Sequence, residues 1–148
     1  MKQLNFPKYN FRFKNSENKQ SIFDEIRKKF VILTPEEWVR QNCIKFLIHE
    51  KHYPKSLINV EKEIIINNTK KRYDIVVYKP NGSIQILIEC KAPKIKIKQN
   101  TFDQIARYNL ILKANLLMVT NGFDHYYCHM DYINERYIFL KDIPNYVI

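Results

Sequence analysis

Residues 115–120 (NLLMVT) constrain the fold more than any other segment of this chain. An almost continuous apolar run closed by Asn121-Gly122 predicts a short strand buried on both faces. The stretch before it, about 101–114, reads as a helix with Asn100 or Thr101 as cap and Asp103 in its first turn. A strand reached through a helical crossover lies parallel to its predecessor, so the chain must be α/β with a mixed sheet.

Three strand-like runs precede that crossover, at 57–66, 72–78 and 84–92, and Lys79-Pro80-Asn81-Gly82 marks a tight hairpin between the last two. Upstream, Thr34-Pro35-Glu36-Glu37 combines a threonine cap, proline at the first helical position and glutamate at the third. That signature predicts a helix to about His49, with Val39, Cys43, Phe46 and Leu47 on one face. Two further strands are expected near 125–131 and 136–140. The order is αβββαβ: a mixed β-sheet flanked by helices in a single domain, 1–148. Residues 1–30 form an N-terminal extension with a strand at 8–15 (alternating Tyr9, Phe11, Phe13) and a short helix at 21–29.

Composition narrows the function classes. The 148 residues hold 25 Lys or Arg against 15 Asp or Glu, a formal charge of +10 that favours polyanionic partners. Nineteen of the cations are Lys beside 15 Asn and 21 Ile, a bias that A/T-rich coding also produces. With only Gly82 and Gly122, there is no glycine-rich phosphate loop, which removes most nucleotide-binding enzymes. Cys43, Cys90 and Cys128 are odd in number and widely spaced, which fits a reducing, cytoplasmic setting. No apolar run is long enough to span a membrane, and no secretory leader is visible.

The chemistry concentrates in Asp74 and in Glu89-Cys90-Lys91. Charges inside apolar strands are costly unless they face a cleft or a partner. Glu89 and Lys91 share a strand face, and the hairpin can bring Asp74 alongside Glu89. Two converging carboxylates make a hard oxygen site suited to Mg²⁺ or Mn²⁺, and a neighbouring lysine suits phosphodiester hydrolysis.

With its matching segments, the chain resembles the PD-(D/E)xK nuclease superfamily. More closely, it resembles stand-alone proteins similar to the N-terminal nuclease domain of type I restriction enzyme R subunits. The segments are 21–42, VEKEI (60–64), KRYDIVVY (71–78), ILIECKAP (86–93), FDQIARYN (102–109) and VTNG (119–122). The resemblance implies a restriction-endonuclease-like fold and a Mg²⁺-dependent DNA endonuclease. Asp74, Glu89 and the Cys90 carbonyl would hold the metal, and Lys91 would orient or deprotonate water. Gln104 and Tyr108 match the family's Gln-x-x-x-Tyr helix motif. Glu37 would be a further acidic contributor, or alternatively the reciprocal member of the Thr34 capping box. Tyr73 stands where the superfamily often has proline.

Lys94, Lys96 and Lys98 alternate with isoleucines and, if extended, present three cations for a DNA backbone; a lysine-guarded edge strand is the competing reading. Glu61 and Glu63 share one strand face beside the site. His125, Cys128 and His129 do not converge as zinc ligands on a strand. Expected partners are DNA, a second copy of the chain, or a larger restriction or defence complex. The alternatives are an inactive nucleic-acid-binding or assembly module with the same fold, and a nuclease acting on RNA.

Overall fold

A computed structural model describes residues 1–148. It contains two sheets and two principal helices. The N-terminal sheet is a meander of β1 (Phe13–Ser16), β2 (Lys19–Asp24) and β3 (Lys29–Ile32). α1 (Pro35–Lys45) follows and widens into a π-helical turn at Phe46–Glu50. The main sheet has six strands in chain order: β4 (Ile58–Ile66), β5 (Thr69–Tyr78), β6 (Ile84–Cys90), β7 (Leu116–Thr120), β8 (His125–Asp131) and β9 (Arg136–Leu140). α2 (Gln99–Leu112) carries the chain from β6 to β7. All neighbours in the main sheet are antiparallel except β6 and β7, which pair in parallel from Ile86↔Leu116 to Cys90↔Thr120. Every residue of β7 is buried, as its apolar run requires.

The sheet separates two cores. α1 lays Val39, Cys43 and Ile44, and the π-helical turn lays Leu47, on Ile75, Val77, Ile86 and Ile88. On the other face, α2 lays Phe102, Ile105 and Ala106 on Val76, Leu87, Leu117 and Val119. Burying each large aliphatic side chain contributes roughly 1.5–3 kcal/mol. Ile22 of β2, with Leu4 and Phe6, joins the α1-side core, so the small sheet is packed into the molecule.

The N-terminal extension corrects the sequence reading. Residues 21–29 form two strands and a turn, with Asp24 Oδ1 accepting from the Ile26 and Arg27 N–H groups at 2.8 Å each. An aspartate that closes a turn by local hydrogen bonds competes with the helix ladder. The first strand covers only the end of 8–15, at Phe13–Ser16. α2 begins two residues earlier than expected, with Lys98 at its cap and no capping side chain.

β4 and β5 are joined by a two-residue turn, Asn67 and Asn68, both at positive φ (50° and 62°), which matches the twist of a hairpin. This ribbon is irregular at one place. Its ladder steps from Val60↔Ile75 to Lys62↔Tyr73, and the skipped Glu61 has φ of 54°. Tyr73 therefore packs in the α2-side core although Ile75, two residues on, packs under α1. The strand pair turns over at Asp74. No helix is long and apolar enough to cross a membrane.

Candidate active site

Asp74 and Glu89 come together by strand register. The β5–β6 ladder pairs Ile75 with Ile88, so the next residues, Asp74 and Glu89, stand opposite each other. The Cys90 N–H donates to Asp74 Oδ2 at 2.8 Å. Ile86, Ile88 and Cys90 face α1 and Leu87 faces α2, so alternation sets Glu89 toward α2. The Cys90 thiol is buried among α1-side residues, and the Cys43 thiol and burial hold its pKa well above the ordinary value. Only the main chain of Cys90 is therefore offered to the site. Lys91 is half-buried at the end of β6, its N–H donated to the Thr120 carbonyl at 2.8 Å.

Glu89 is electrostatically exceptional. Its Oε1 is buried without a hydrogen-bond partner. Burial, and then the adjacent Asp74, push its pKa up to about 8, while Lys71 and Lys91 pull it down. An orphaned acidic oxygen beside a second carboxylate is the donor set a hard cation completes. No group of three His, Cys, Asp or Glu side chains is placed to hold a metal ion, so an ion here would rest on the two carboxylates and the Cys90 carbonyl. These residues fit a divalent ion.

Asp74 Oδ1 is held by a residue absent from the sequence reading. Arg40 of α1 reaches it through Nη2 at 2.8 Å, and through Nη1 reaches Glu37 at 2.8 Å and Glu61 at 3.4 Å. Glu37 is buried among Arg27 (2.9 Å), Arg40 and the Gln41 amide (3.1 Å). Thr34 Oγ1 accepts from the Glu37 N–H at 3.0 Å, which is half of a capping box; the Glu37 carboxylate belongs to the arginines. Glu36 also stands close to the site, its carboxylate 3.6 Å from Arg40 Nη2. Burial and Asp74 raise its pKa, and Arg40 and Lys91 oppose them.

The single strand face expected to carry both Glu61 and Glu63 is broken at Glu61. The left-handed backbone at Glu61 turns it toward Arg27 (3.1 Å) and Arg40, whereas Glu63 stays on the exposed ribbon near Lys70 and Arg72. On α2, Tyr108 and Gln104 are exposed on one face. Lys71 Nζ lies 3.8 Å from the Tyr108 ring centroid, a second unanticipated cation whose charge also lowers the Glu89 pKa. Lys94, Lys96 and Lys98 are exposed, but their segment is a turn and loop, not a strand. Pro93 leads into a turn in which the Ile95 N–H donates to the Ala92 carbonyl, and the Asn121 amide holds the Ile95 carbonyl, each at 2.9 Å. The three lysines thus share a short loop leading into α2 rather than a pleated face, and neither the extended reading nor the edge-strand reading describes them.

His125 has both ring nitrogens engaged, by Thr120 Oγ1 and the Asn5 carbonyl at 2.7 Å each, and Cys128 is buried in the α2-side core. A cleft of about 620 Å³, around Tyr53, His129 and Tyr146, lies at the opposite end of β6 and β7 and holds no converging carboxylates.

The family model for the type I restriction enzyme R protein N terminus (HSDR_N) matches residues 35–144. The chain belongs to this family. A solved structure described as a fragment of an HsdR subunit of a type I restriction enzyme from Vibrio vulnificus YJ016 shares its fold, with a TM-score of 0.52 at 18% identity. The superposition covers 76% of this chain but 24% of that one, so the chain corresponds to about a quarter of the HsdR fragment. A search of curated proteins found no match. The matched residues contain Asp74, Glu89, Lys91, Glu37, Gln104 and Tyr108, and exclude Asp24 and Arg27.

Proposed function

We propose that this HSDR_N chain is a DNA endonuclease of the PD-(D/E)xK type, active with Mg²⁺ or Mn²⁺ in a restriction or defence system. The buried, unpartnered Glu89 Oε1 beside Asp74 carries the reading. A divalent ion held by Asp74, Glu89 and the Cys90 carbonyl would lower the pKa of water and offset charge on the phosphate.

The chain's own residues have separable parts. Arg40 and the Cys90 N–H fix both oxygens of Asp74, so its orientation does not depend on the substrate. Glu89 holds a proton at neutral pH and releases it when a cation takes its place. Lys91 Nζ, on the same strand face as Glu89, orients the attacking water or contacts a phosphate oxygen. Tyr108 and Gln104 present an exposed helix face to the substrate. Lys94, Lys96 and Lys98, with Lys71, supply backbone contacts, each of which adds salt dependence. Cleavage would leave a 5′-phosphate and a 3′-hydroxyl, and a double-strand cut would bring two chains together on DNA.

A specific observation favours a second reading. Asp74 is already neutralised by Arg40, as in a site kept for binding or assembly rather than turnover. One experiment separates the two. The purified chain is incubated with plasmid, linear and single-stranded DNA, and with RNA, in Mg²⁺ or Mn²⁺, beside Asp74→Ala and Lys91→Ala. Cleavage lost in both variants is expected. Cleavage unchanged in both sinks the assigned site. Binding without cleavage of any substrate supports the module reading.

A further inference from the structure

We propose that Arg27, in the N-terminal turn outside the family-matched residues, is a positioning residue for the metal-binding carboxylates. The inference rests on the metal reading above and adds a working part to that site.

The Arg27 guanidinium uses all three nitrogens: Nε on Asp24 Oδ2 at 2.7 Å, Nη2 on Glu37 Oε1 at 2.9 Å, and Nη1 on Glu61 Oε2 at 3.1 Å. Only a planar fork makes these three contacts at once, and a lysine cannot. The turn is held rigidly. Asp24 is fully buried, accepts from two backbone N–H groups of its own turn, and accepts from the Gln41 amide of α1 at 2.9 Å.

Arg27 and Arg40 share Glu37 Oε1, and each also reaches Glu61. Arg40 divides its fork, with Nη1 on Glu37 and Glu61 and Nη2 on Asp74 at 2.8 Å and, more loosely, on Glu36 at 3.6 Å. While Arg27 satisfies Glu37 and Glu61, Arg40 can keep Nη2 on Asp74. Without Arg27, Glu37 and Glu61 keep Arg40 as their only guanidinium, and Arg40 must also serve Glu36 and Asp74. Arg40 is then drawn toward Glu37 and Glu61, and Asp74 Oδ1 is released. Arg27 therefore sets where Arg40 rests, and Arg40 sets how freely Asp74 meets a cation.

The test is calorimetric titration of Mn²⁺ into the full chain without DNA, for the unaltered protein and for Arg27→Gln, Arg27→Lys, Arg27→Gln with Glu37→Gln, and Asp74→Asn. Thermal unfolding establishes that each is folded. Arg27→Gln is expected to bind Mn²⁺ about tenfold tighter, because a cation is lost and Asp74 is released. Adding Glu37→Gln removes the competing charge, returns Arg40 to Asp74 and restores the original affinity; a purely structural pin for the turn has no such reversal. Affinity within about twofold of the unaltered chain in Arg27→Gln, while Asp74→Asn abolishes binding, overturns the role of Arg27 alone. If Arg27→Gln does not fold, Arg27→Lys decides, since it keeps the charge but not the fork; unchanged affinity there is equally fatal. Failure of the unaltered chain to bind Mn²⁺, or binding that survives Asp74→Asn, overturns the metal reading and this inference with it.

Discussion

A buried carboxyl with no donor keeps its proton until a cation arrives, and Glu89 is placed in that way. Its folded pKa, about 8, lies above its unfolded value, so between about pH 4.5 and 8 the folded chain binds more protons than the unfolded one. Stability of the metal-free protein therefore falls as pH rises through that window, by at most about 1.4 kcal/mol per unit from this group. Urea unfolding at several pH values in a chelator is expected to show the fall, and Glu89→Gln to flatten it. A pH profile identical in the variant would contradict the placement of Glu89. Asp24 has the opposite sign. Burial alone would raise its pKa, but the Arg27 N–H and guanidinium and the Gln41 amide outweigh burial and hold it low. Its stabilising contribution is present at neutral pH and lost only in acid, as pH falls through the depressed folded pKa. Removing one partner of a buried pair costs about 3–5 kcal/mol, so Arg40→Ala should lower the unfolding free energy by that order.

At the scale of elements, the loop after β7 is tightly specified. Gly122 has φ of 92°, and a Cβ there would lie 2.9 Å from a Leu4 methyl carbon. Both conformation and space exclude a side chain, so Gly122→Ala should destabilise by about 1–3 kcal/mol in chemical unfolding. Leu117, on the fully buried β7, touches the α2-side core, and Leu117→Ala should cost about 2–5 kcal/mol. The elements that the sequence announced are those with strong local signals: the Thr34 cap, the Pro-Asn-Gly hairpin and the apolar run of β7. The N-terminal turn was misread as helix because its deciding contact, the Asp24 carboxylate on two backbone N–H groups, competes with a helix of similar local pattern. The lysine loop was misread because alternation of Lys and Ile counts as strand only if a neighbour supplies a ladder, and none does.

At the scale of the molecule, the small N-terminal sheet and the family-matched region share one core through Leu4, Phe6 and Ile22, and one charge network through Asp24 and Arg27. A chain starting at residue 35 would expose that core and leave Glu37 and Glu61 with Arg40 as their cation. It is expected to be unfolded or aggregated by circular dichroism and size-exclusion chromatography. A cooperative native melt in the truncated chain would show that the extension is dispensable.

The pairing of Asp74 with Glu89 was legible because a strand has period two and a hairpin has a register, so carboxylates at these spacings stand opposite each other. The parallel crossover followed from similar local rules. Arg40 had a partial local signal, since it follows Glu36 by four and Glu37 by three residues on a capped helix. That signal predicts a surface pair, not a grip on Asp74, 34 residues away. Arg27, Lys71 and the left-handed Glu61 had none. Their positions depend on which carboxylates surround them after the ribbon turns over at Asp74 and the N-terminal turn docks on α1. Strand register is written in neighbouring residues, whereas charge balance in a buried site is a sum over all the segments that fold around it.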